Sequence, residues 1–338
     1  MLSASSSAGA WYARLEPATP PDLPRRSDDP RLGECVEFWR EGLPNLRPGR
    51  PVLVGFPQDE GVRRNQGRPG AAAAPAAIRH WLYRLTPWDA TYGADLAALE
   101  LLDVGDVRID GDLEESQQAL AEVMAAILTA GAVPIVLGGG HETAYGHYLG
   151  YVRAGREVAI INLDAHLDVR PLVDGLGHSG SPLRQALEHS TQPLRGDRYV
   201  CLGAQPFAVS REHRAYVQDK GGVIHWTARS SLRCALSSIF HRECQRLSAG
   251  GCPVYVTLDS DVVHQADVSG VSAPNPLGLS GHVVAACAAA VGQCTAVSSF
   301  DLVEINPSLD RDGQSARWAA LTIWYFLIGL TRRGVITN

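Results

Sequence analysis

Residues 158–170 read VAIINLDAHLDVR: an apolar run through Val158, Ile160 and Ile161, then a polar tail in which Asp164, His166 and Asp168 alternate with spacers. A second segment, VYVTLDSDVV at 254–263, repeats the plan and brings Asp259 and Asp261 after Val254, Val256 and Thr257. β-Branched runs favour strands, and every second side chain of an extended peptide shares one face. Each tail is therefore expected to aim its donors at one point. His141 follows a third apolar run, Val133 to Leu137, across the turn Gly138, Gly139, Gly140. Three strand ends thus offer two imidazoles and four carboxylates. Carboxylates that share a site resist ionising together, so the cluster calls for cations, and its size suits two.

Working outward, PVLVGF at 51–56 predicts a first core strand, followed by the loop DEGVRRNQGRPG at 59–70. Ile78, Trp81 and Leu82 predict a helix opening near the Ala71 to Ala77 run. Leu120, Val123, Met124 and Ile127 recur at helical spacing within 113–129, with Gly131 placed to end that helix. Further strands are predicted at 133–137, 158–163, 199–203, 223–225, 254–258 and 297–303. Apolar strands alternating with helices imply a mostly parallel sheet covered on both faces. Sites in such sheets form at the carboxyl ends of strands, where all six donors fall. Residues 1–45 read as an arm with little regular structure, and 46–338 as a single α/β domain.

Composition narrows the function. The 338 residues carry a formal charge of −6 and are 45% hydrophobic and 20% charged, with no basic stripe for nucleic acid. The longest apolar stretch, Trp318 to Leu330, is shorter than the roughly 20 residues that span a bilayer and predicts a buried C-terminal helix. No nucleic-acid or membrane partner is expected. The first 30 residues lack the apolar core of a secretory signal. Cys35, Cys201, Cys234, Cys244, Cys252, Cys287 and Cys294 are scattered, without zinc-knuckle spacing, and read as small buried hydrophobes in a reducing cytoplasm.

Imidazole and carboxylate donors without thiolate suit a harder ion than a structural zinc site, and Mn²⁺ fits that set. Two such ions a few ångströms apart promote hydrolysis by lowering the pKa of a water. A single DxD or HxD is common by chance; three such elements, each following a strand, are not.

GGGHE (138–142), NLDAHLDVR (162–170), VTLDSDVV (256–263) and FDLVEINPSLD (300–310) resemble, in order, the signature elements of the ureohydrolase family, which includes arginase, agmatinase and formimidoylglutamase. The resemblance runs from about residue 51 to 330. It implies a three-layer α/β/α, arginase-like fold and a binuclear Mn²⁺ centre, two ions per subunit, that hydrolyses C–N bonds of guanidino or formimino groups. As the resemblance implies, one ion would sit on His141, Asp164, Asp168 and Asp259, and the other on Asp164, His166, Asp259 and Asp261. Asp164 and Asp259 would bridge, and Asp168 would also move the proton to the leaving amine. Glu304 matches the carboxylate that pairs with the substrate amidinium, and a planar N–C–N cation independently calls for such an acceptor.

The loop 59–70, LDVR, SGVSAPNPLGL (269–279) and NPSLDRDGQSARWAA (306–320) resemble the formimidoylglutamase branch. The activity implied is hydrolysis of N-formimino-L-glutamate to L-glutamate and formamide, in histidine degradation; the alternative is a guanidino hydrolase that releases urea. Two substrate carboxylates need cationic partners, and arginine forks onto them best. Arg170, two residues past Asp168 on the same expected strand-end face, is the first candidate and Arg64 the second; Asn65 and Ser179 could add polar contacts. Arg63, Arg64 and Arg68 are equally compatible with a solvated loop or a subunit contact. In GHSGSPLRQ (177–185), Ser179 precedes Gly180 where arginases carry a proton-shuttling histidine, and His178 falls one position early, which weakens arginase. His147 is expected in the core or behind a ligand, His225, His264 and His282 have no partner spacing, and Glu142 is a candidate acceptor behind His141. A single-metal deacetylase relative would lack the second donor set, and a silent scaffold would not need four carboxylates at one point. The partner expected is a small-molecule substrate. A homo-oligomer is also expected, with the arm and the C-terminal run as candidate contacts.

Overall fold

The computed structural model describes residues 10–23, 26–228 and 230–334; the first nine residues of the expected arm, with Pro24, Arg25, Arg229 and residues 335–338, lie outside the described residues. In chain order the strands are β1 (Leu15–Glu16), β2 (Glu37–Phe38), β3 (Pro51–Phe56), β4 (Trp88–Asp89), β5 (Ala94–Asp95), β6 (Leu102–Val107), β7 (Val133–Gly138), β8 (Ala159–Leu163), β9 (Tyr199–Ala204), β10 (Val223–Trp226), β11 (Val254–Asp259) and β12 (Val297–Val303). The helices are α1 (Glu60–Arg64), α2 (Ala74–Leu82), α3 (Leu113–Thr129), α4 (Thr143–Arg153), α5 (Pro182–Leu187), α6 (Arg211–Asp219), α7 (Ser230–Leu247), α8 (Gly281–Gln293) and α9 (Gln314–Thr331).

Ten strands form one sheet in the order β1-β6-β3-β7-β12-β11-β8-β9-β10, with β2 also on β6; β4 and β5 pair separately. Every pairing in the large sheet is parallel except β1 with β6. The strand period of two sends side chains to opposite cores. Leu53, Ile135, Leu137, Ala159 and Ile161 meet Ile78, Phe240, Val284 and Phe326 of α2, α7, α8 and α9 on one face. Val52, Val54 and Val136 meet Leu120 and Val123 of α3, and Ile160 meets Tyr148 and Tyr151 of α4 on the other. The result is the α/β/α layering expected.

Helix α3 spans the predicted residues; Asp112 caps it by accepting from Glu115 N, and Gly131 follows at φ +71°. Two elements depart from the sequence reading. Strand β6 is absent from that reading because Asp103, Gly105 and Asp106 interrupt its apolar pattern. Those polar positions are used: Arg79 of α2 donates to both oxygens of Asp103 (2.8 and 3.0 Å) and also meets Asp106, while the Tyr83 hydroxyl donates to Asp103. The described part of the expected arm also carries regular structure, since β1 and β2 extend the sheet edge and Leu15 and Leu32 are buried. The C-terminal run is spent on the intramolecular core, with Ile323, Phe326, Leu327 and Ile328 fully buried. Leu321 in the same run stays exposed. The thiols of Cys35, Cys201, Cys244, Cys252, Cys287 and Cys294 are unlinked, and the side chain of Cys234 lies outside those described.

Removing one partner of a buried ion pair strands the other charge. Asp103→Ala should therefore cost about 3 kcal/mol in denaturant unfolding, and a loss below about 1 kcal/mol would refute the anchoring role of Asp103.

Candidate metal centre

Four neighbouring strands, β7, β12, β11 and β8, end together and present the polar cluster. His141 lies in the turn between β7 and α4, Asp164 one residue beyond β8, Asp259 at the end of β11 with Asp261 in the turn after it, and Glu304 immediately after β12. The glycine turn is obligatory where the chain crosses Gln58: a Cβ on Gly139 would stand 1.8 Å from the Gln58 carbonyl oxygen, which also accepts from Gly140 N.

Two donor groups result. His141 Nδ1 faces Asp168 Oδ2 at 2.8 Å, Asp259 Oδ2 at 3.1 Å and Asp164 Oδ2 at 3.3 Å. His166 Nδ1 faces Asp261 Oδ2 at 3.0 Å and Asp164 Oδ1 at 3.5 Å. Within each group the donor atoms lie within 4.8 Å of one another, close enough to share an ion. Asp164 enters both groups, one oxygen to each, as a bridging carboxylate must. Asp259 brings its Oδ2 to the first group, and its Oδ1 accepts the N–H of Asp261 on the side of the second.

The expected donors lie together, but their local geometry differs from a strand alternation. Strand β8 ends at Leu163, so Asp168 and Arg170 lie on a loop, and Asp168 takes a left-handed φ of +47°. Glu304 does the same at +68°. Such backbone is uncommon for non-glycine residues and concentrates at functional sites. Glu304 is locked there: its N–H donates to Gly139 O and its Oε1 accepts from His141 N at 2.8 Å.

Charge and burial oppose each other throughout the cluster. Burial disfavours the charged imidazole of His141, yet Asp164, Asp168 and Asp259 outweigh it and drive its pKa well up; burial likewise opposes the charged form of His166, and Asp261 and Asp164 outweigh it there. Burial also disfavours the Asp164 carboxylate, but the two imidazoles hold its pKa well below the usual range. Burial and then the charges of Asp261 and Asp164 push Asp259 up, and burial raises Asp261 as well. Burial carries Glu304 to about 8. His141 Nδ1 is buried without a hydrogen-bond partner. An orphaned imidazole nitrogen facing three carboxylates, and carboxyls that burial forces toward protonation, both fit resident divalent cations.

Other residues support the donors. Asn162 donates to Asp164 Oδ2 at 3.0 Å, and Thr257 Oγ1 lies 3.1 Å from His141 Nε2, leaving Nδ1 toward the carboxylates. Neither was singled out from sequence. Thr257 and Asn162 each carry a visible signal, standing two residues before Asp259 and Asp164 on the same strand face.

A cavity of about 260 Å³ opens over the cluster, lined by His166, Asp168, Asp259, Asp261 and Glu304 on one side and by Asn65, Gln66, Gly67, Arg170, Ser179, Ser272 and Ala273 on the other. Asn65 connects two of the expected substrate contacts: its Oδ1 accepts from Arg170 and its Nδ2 donates to Ser179 Oγ, both at 3.0 Å. Gly180 permits this approach, since a Cβ there would stand 2.8 Å from Arg170 Cδ. Gln66, Ser272 and Ala273 were not identified beforehand, because their quoted segments offered no ligand chemistry to single them out. Arg64 is a correction: it does not line the cavity, and its guanidinium is bound to Glu114, Glu60 and Gly177 O on the far side of α1.

Glu142 does not support a ligand imidazole; its Oε1 accepts from Gly61 N and so holds α1. His178 is buried within its loop, with Nε2 3.0 Å from Pro171 O and Nδ1 accepting from Gly180 N. His147 sits in the core between Asp301 and Ser299, stacked on Tyr255.

The arginase family model matches residues 50–329. The formimidoylglutamase of Chromobacterium violaceum is 36% identical over 303 residues, 88% of this chain and 94% of that relative. The formimidoylglutamase of Klebsiella pneumoniae strain 342 is 35% identical over 96% of this chain and 98% of its own length. Among solved structures, Trypanosoma cruzi formiminoglutamase with Mn²⁺ superposes with a TM-score of 0.82 at 32% identity, covering 90% of this chain and all of that one.

Because ligands must lose protons to hold a cation, and both imidazoles are driven toward protonation, metal binding should release protons near pH 7 and weaken as pH falls. Titration calorimetry of Mn²⁺ in buffers of different ionisation enthalpy should show that release; identical heats in all buffers would sink the assignment of His141 and His166 as ligands.

Proposed function

The chain belongs to the arginase family, and we propose that it is a formimidoylglutamase, hydrolysing N-formimino-L-glutamate to L-glutamate and formamide with two Mn²⁺ ions. The observation that carries the reading is the pairing, in one cavity, of a double carboxylate–imidazole centre with the Arg170–Asn65–Ser179 wall. One ion is assigned to His141, Asp164, Asp168 and Asp259, and the other to Asp164, His166, Asp259 and Asp261. Held there, the ions supply Lewis acidity and lower the pKa of a water at neutral pH.

The chain's residues do the rest. Glu304, buried and short of a counter-charge, receives the planar N–C–N cation and orients the formimino carbon over the centre. Asp168 lines the same cavity and takes a proton from the attacking water. As the bond from that carbon to the glutamate nitrogen breaks, Asp168 returns the proton to the departing amine. Arg170 forks onto a substrate carboxylate, and Asn65 and Ser179 fix its direction and add polar contacts. A guanidino hydrolase would use the same centre, but a tail-binding arginine with its amide brace favours a substrate that carries carboxylates.

Residues 46–338 act in this reading as one catalytic domain, with β1 and β2 of the preceding segment along its sheet edge. Among the described residues no helix is long and apolar enough to cross a membrane. A cytoplasmic setting agrees with the unlinked thiols. The exposed Leu172, Val173 and Leu176 offer apolar surface for a homo-oligomer.

The Mn²⁺-loaded protein, given formimino-glutamate, arginine, agmatine and guanidinobutyrate in parallel, should yield glutamate with formamide from the first and no urea from the others. Urea from any guanidino substrate would overturn the substrate assignment and leave the centre standing. Asp168→Asn should lower kcat by about 10²-fold or more. Arg170→Ala should mainly raise KM, and an unchanged KM for formimino-glutamate would remove Arg170 from the tail site.

A further inference from the structure

Arg170 and Ser179 belong to a loop, residues 170–181, whose own main-chain pairing consists of the Val173–Leu176 bridge, the Arg170 N to Gly180 O bond at its base and the Ser181 N to His178 O turn, with local side-chain contacts of His178 and Ser181. Its tip exposes Leu172, Val173 and Leu176 to solvent. The direction of the tail-binding guanidinium therefore depends on what holds this loop from outside. Helix α1 does so. Ser179 N donates to Gly61 O at 3.1 Å, Asn65 reaches Ser179 and Arg170, and Arg64 Nη1 donates to Gly177 O at 3.0 Å.

Two of these ties are charge-assisted, the stronger class of hydrogen bond: Arg170 supplies the charge of one from within the loop, and Arg64 supplies the other from outside it. Its fork is fixed in turn by Glu114 of α3, whose two oxygens accept at 2.7 and 3.1 Å, and Nε meets Glu60 at 3.2 Å. Four of the five guanidinium N–H groups are engaged in this way, and the side chain is only 14% exposed. Glu114 is 39% exposed, so the ion pair by itself adds little stability. Its effect is directional: it aims the Arg64 fork at the Gly177 carbonyl, two residues before Ser179.

We propose that Arg64, held by Glu114, is a positioning residue that clamps the 170–181 loop onto α1 and thereby sets where Arg170 and Ser179 meet the substrate's carboxylates. The proposal rests on the reading of Arg170 as the tail contact. A displacement of about 1 Å in such a wall is enough to cost up to 10²-fold in productive binding. Lysine keeps the charge at position 64 but not the fork that reaches two carboxylates and a carbonyl together.

The test is made on the full-length, Mn²⁺-loaded protein with Arg64→Met, which keeps the side-chain stem, Arg64→Lys and Glu114→Gln. Steady-state kinetics on formimino-glutamate are combined with amide hydrogen exchange of the loop. Arg64→Met should raise KM about tenfold with a smaller change in kcat and unchanged Mn²⁺ content, and the amides of Ser179 and Gly180 should exchange faster. Arg64→Lys should fall between it and wild type, and Glu114→Gln should move both readouts in the same direction by less.

Faster exchange with an unchanged KM would overturn the proposal, as would a raised KM with unchanged exchange, which would mean that Arg64 touches substrate directly. A lower melting temperature with neither readout moved would also overturn it. Should Arg64→Met fail to fold, Glu114→Gln decides by the same two readouts. Should wild type not turn over formimino-glutamate, the functional reading fails by itself, and exchange alone judges the clamp.

Discussion

The electrostatic conflict at the carboxyl edge of the sheet is the constraint on which the rest of the structure depends. Asp164, Asp168, Asp259, Asp261 and Glu304 converge where little water can screen them. Two imidazoles stand between the carboxylates, and main-chain N–H groups of His141, His166 and Asp261 each donate to one of them. These contacts offset burial and repulsion only in part: burial first, and then the neighbouring carboxylates, push Asp259 and Glu304 up. The remaining deficit of positive charge is the property that divalent ions and a cationic amidine both satisfy.

Sheet order turns this conflict into a usable site. Strands β7 and β8 are adjacent in sequence but are separated in the sheet by β12 and β11, so donors from distant parts of the chain end side by side. The strands themselves are buried on both faces, with apolar side chains alternating between two helical layers, which gives the edge a rigid base. Left-handed backbone at Asp168 and Glu304 is tolerated on that base because neighbouring hydrogen bonds determine it. Behind the centre, His147, Asp301, Ser299 and Tyr255 form a buried polar group of their own, close-packed under the strand ends.

The opposite wall of the cavity is built differently. It comes from three loops, the first directly after α1, rather than from strand ends, and it is held by side-chain to main-chain ties: Glu142 to Gly61, Asn306 to Arg68 and Pro69, and Ser272 to Arg68. Most of the donor groups thus stand at the ends of a rigid sheet, and the facing wall stands on loops that are fastened to it, an arrangement common in α/β proteins. In this chain the fastening uses residues that resemble ligand contacts in sequence, Arg64 and Glu142 among them.

The donor set was legible before any coordinates because metal ligation demands particular side chains, and strands place them at a spacing of two. The main strands and helix α3 were legible for the related reason that apolar periodicity reports burial. Strand β6 was hidden because its buried polar residues are satisfied by Arg79 and Tyr83, partners that no local pattern reveals. The docking of residues 10–45 was hidden for the same cause, since pairing to a sheet edge uses backbone groups common to every residue. The role of Arg64 could not be read either, because an arginine's function depends on which carboxylates its fork meets, and Glu114 is 50 residues away in the chain. The sequence by itself determined the donor chemistry, the layered sheet and the family. The tertiary structure alone decided that Asp164 stands between the two imidazoles, and that Arg170 faces the cavity while Arg64 faces away, because direction and distance between side chains arise only when separate segments pack together.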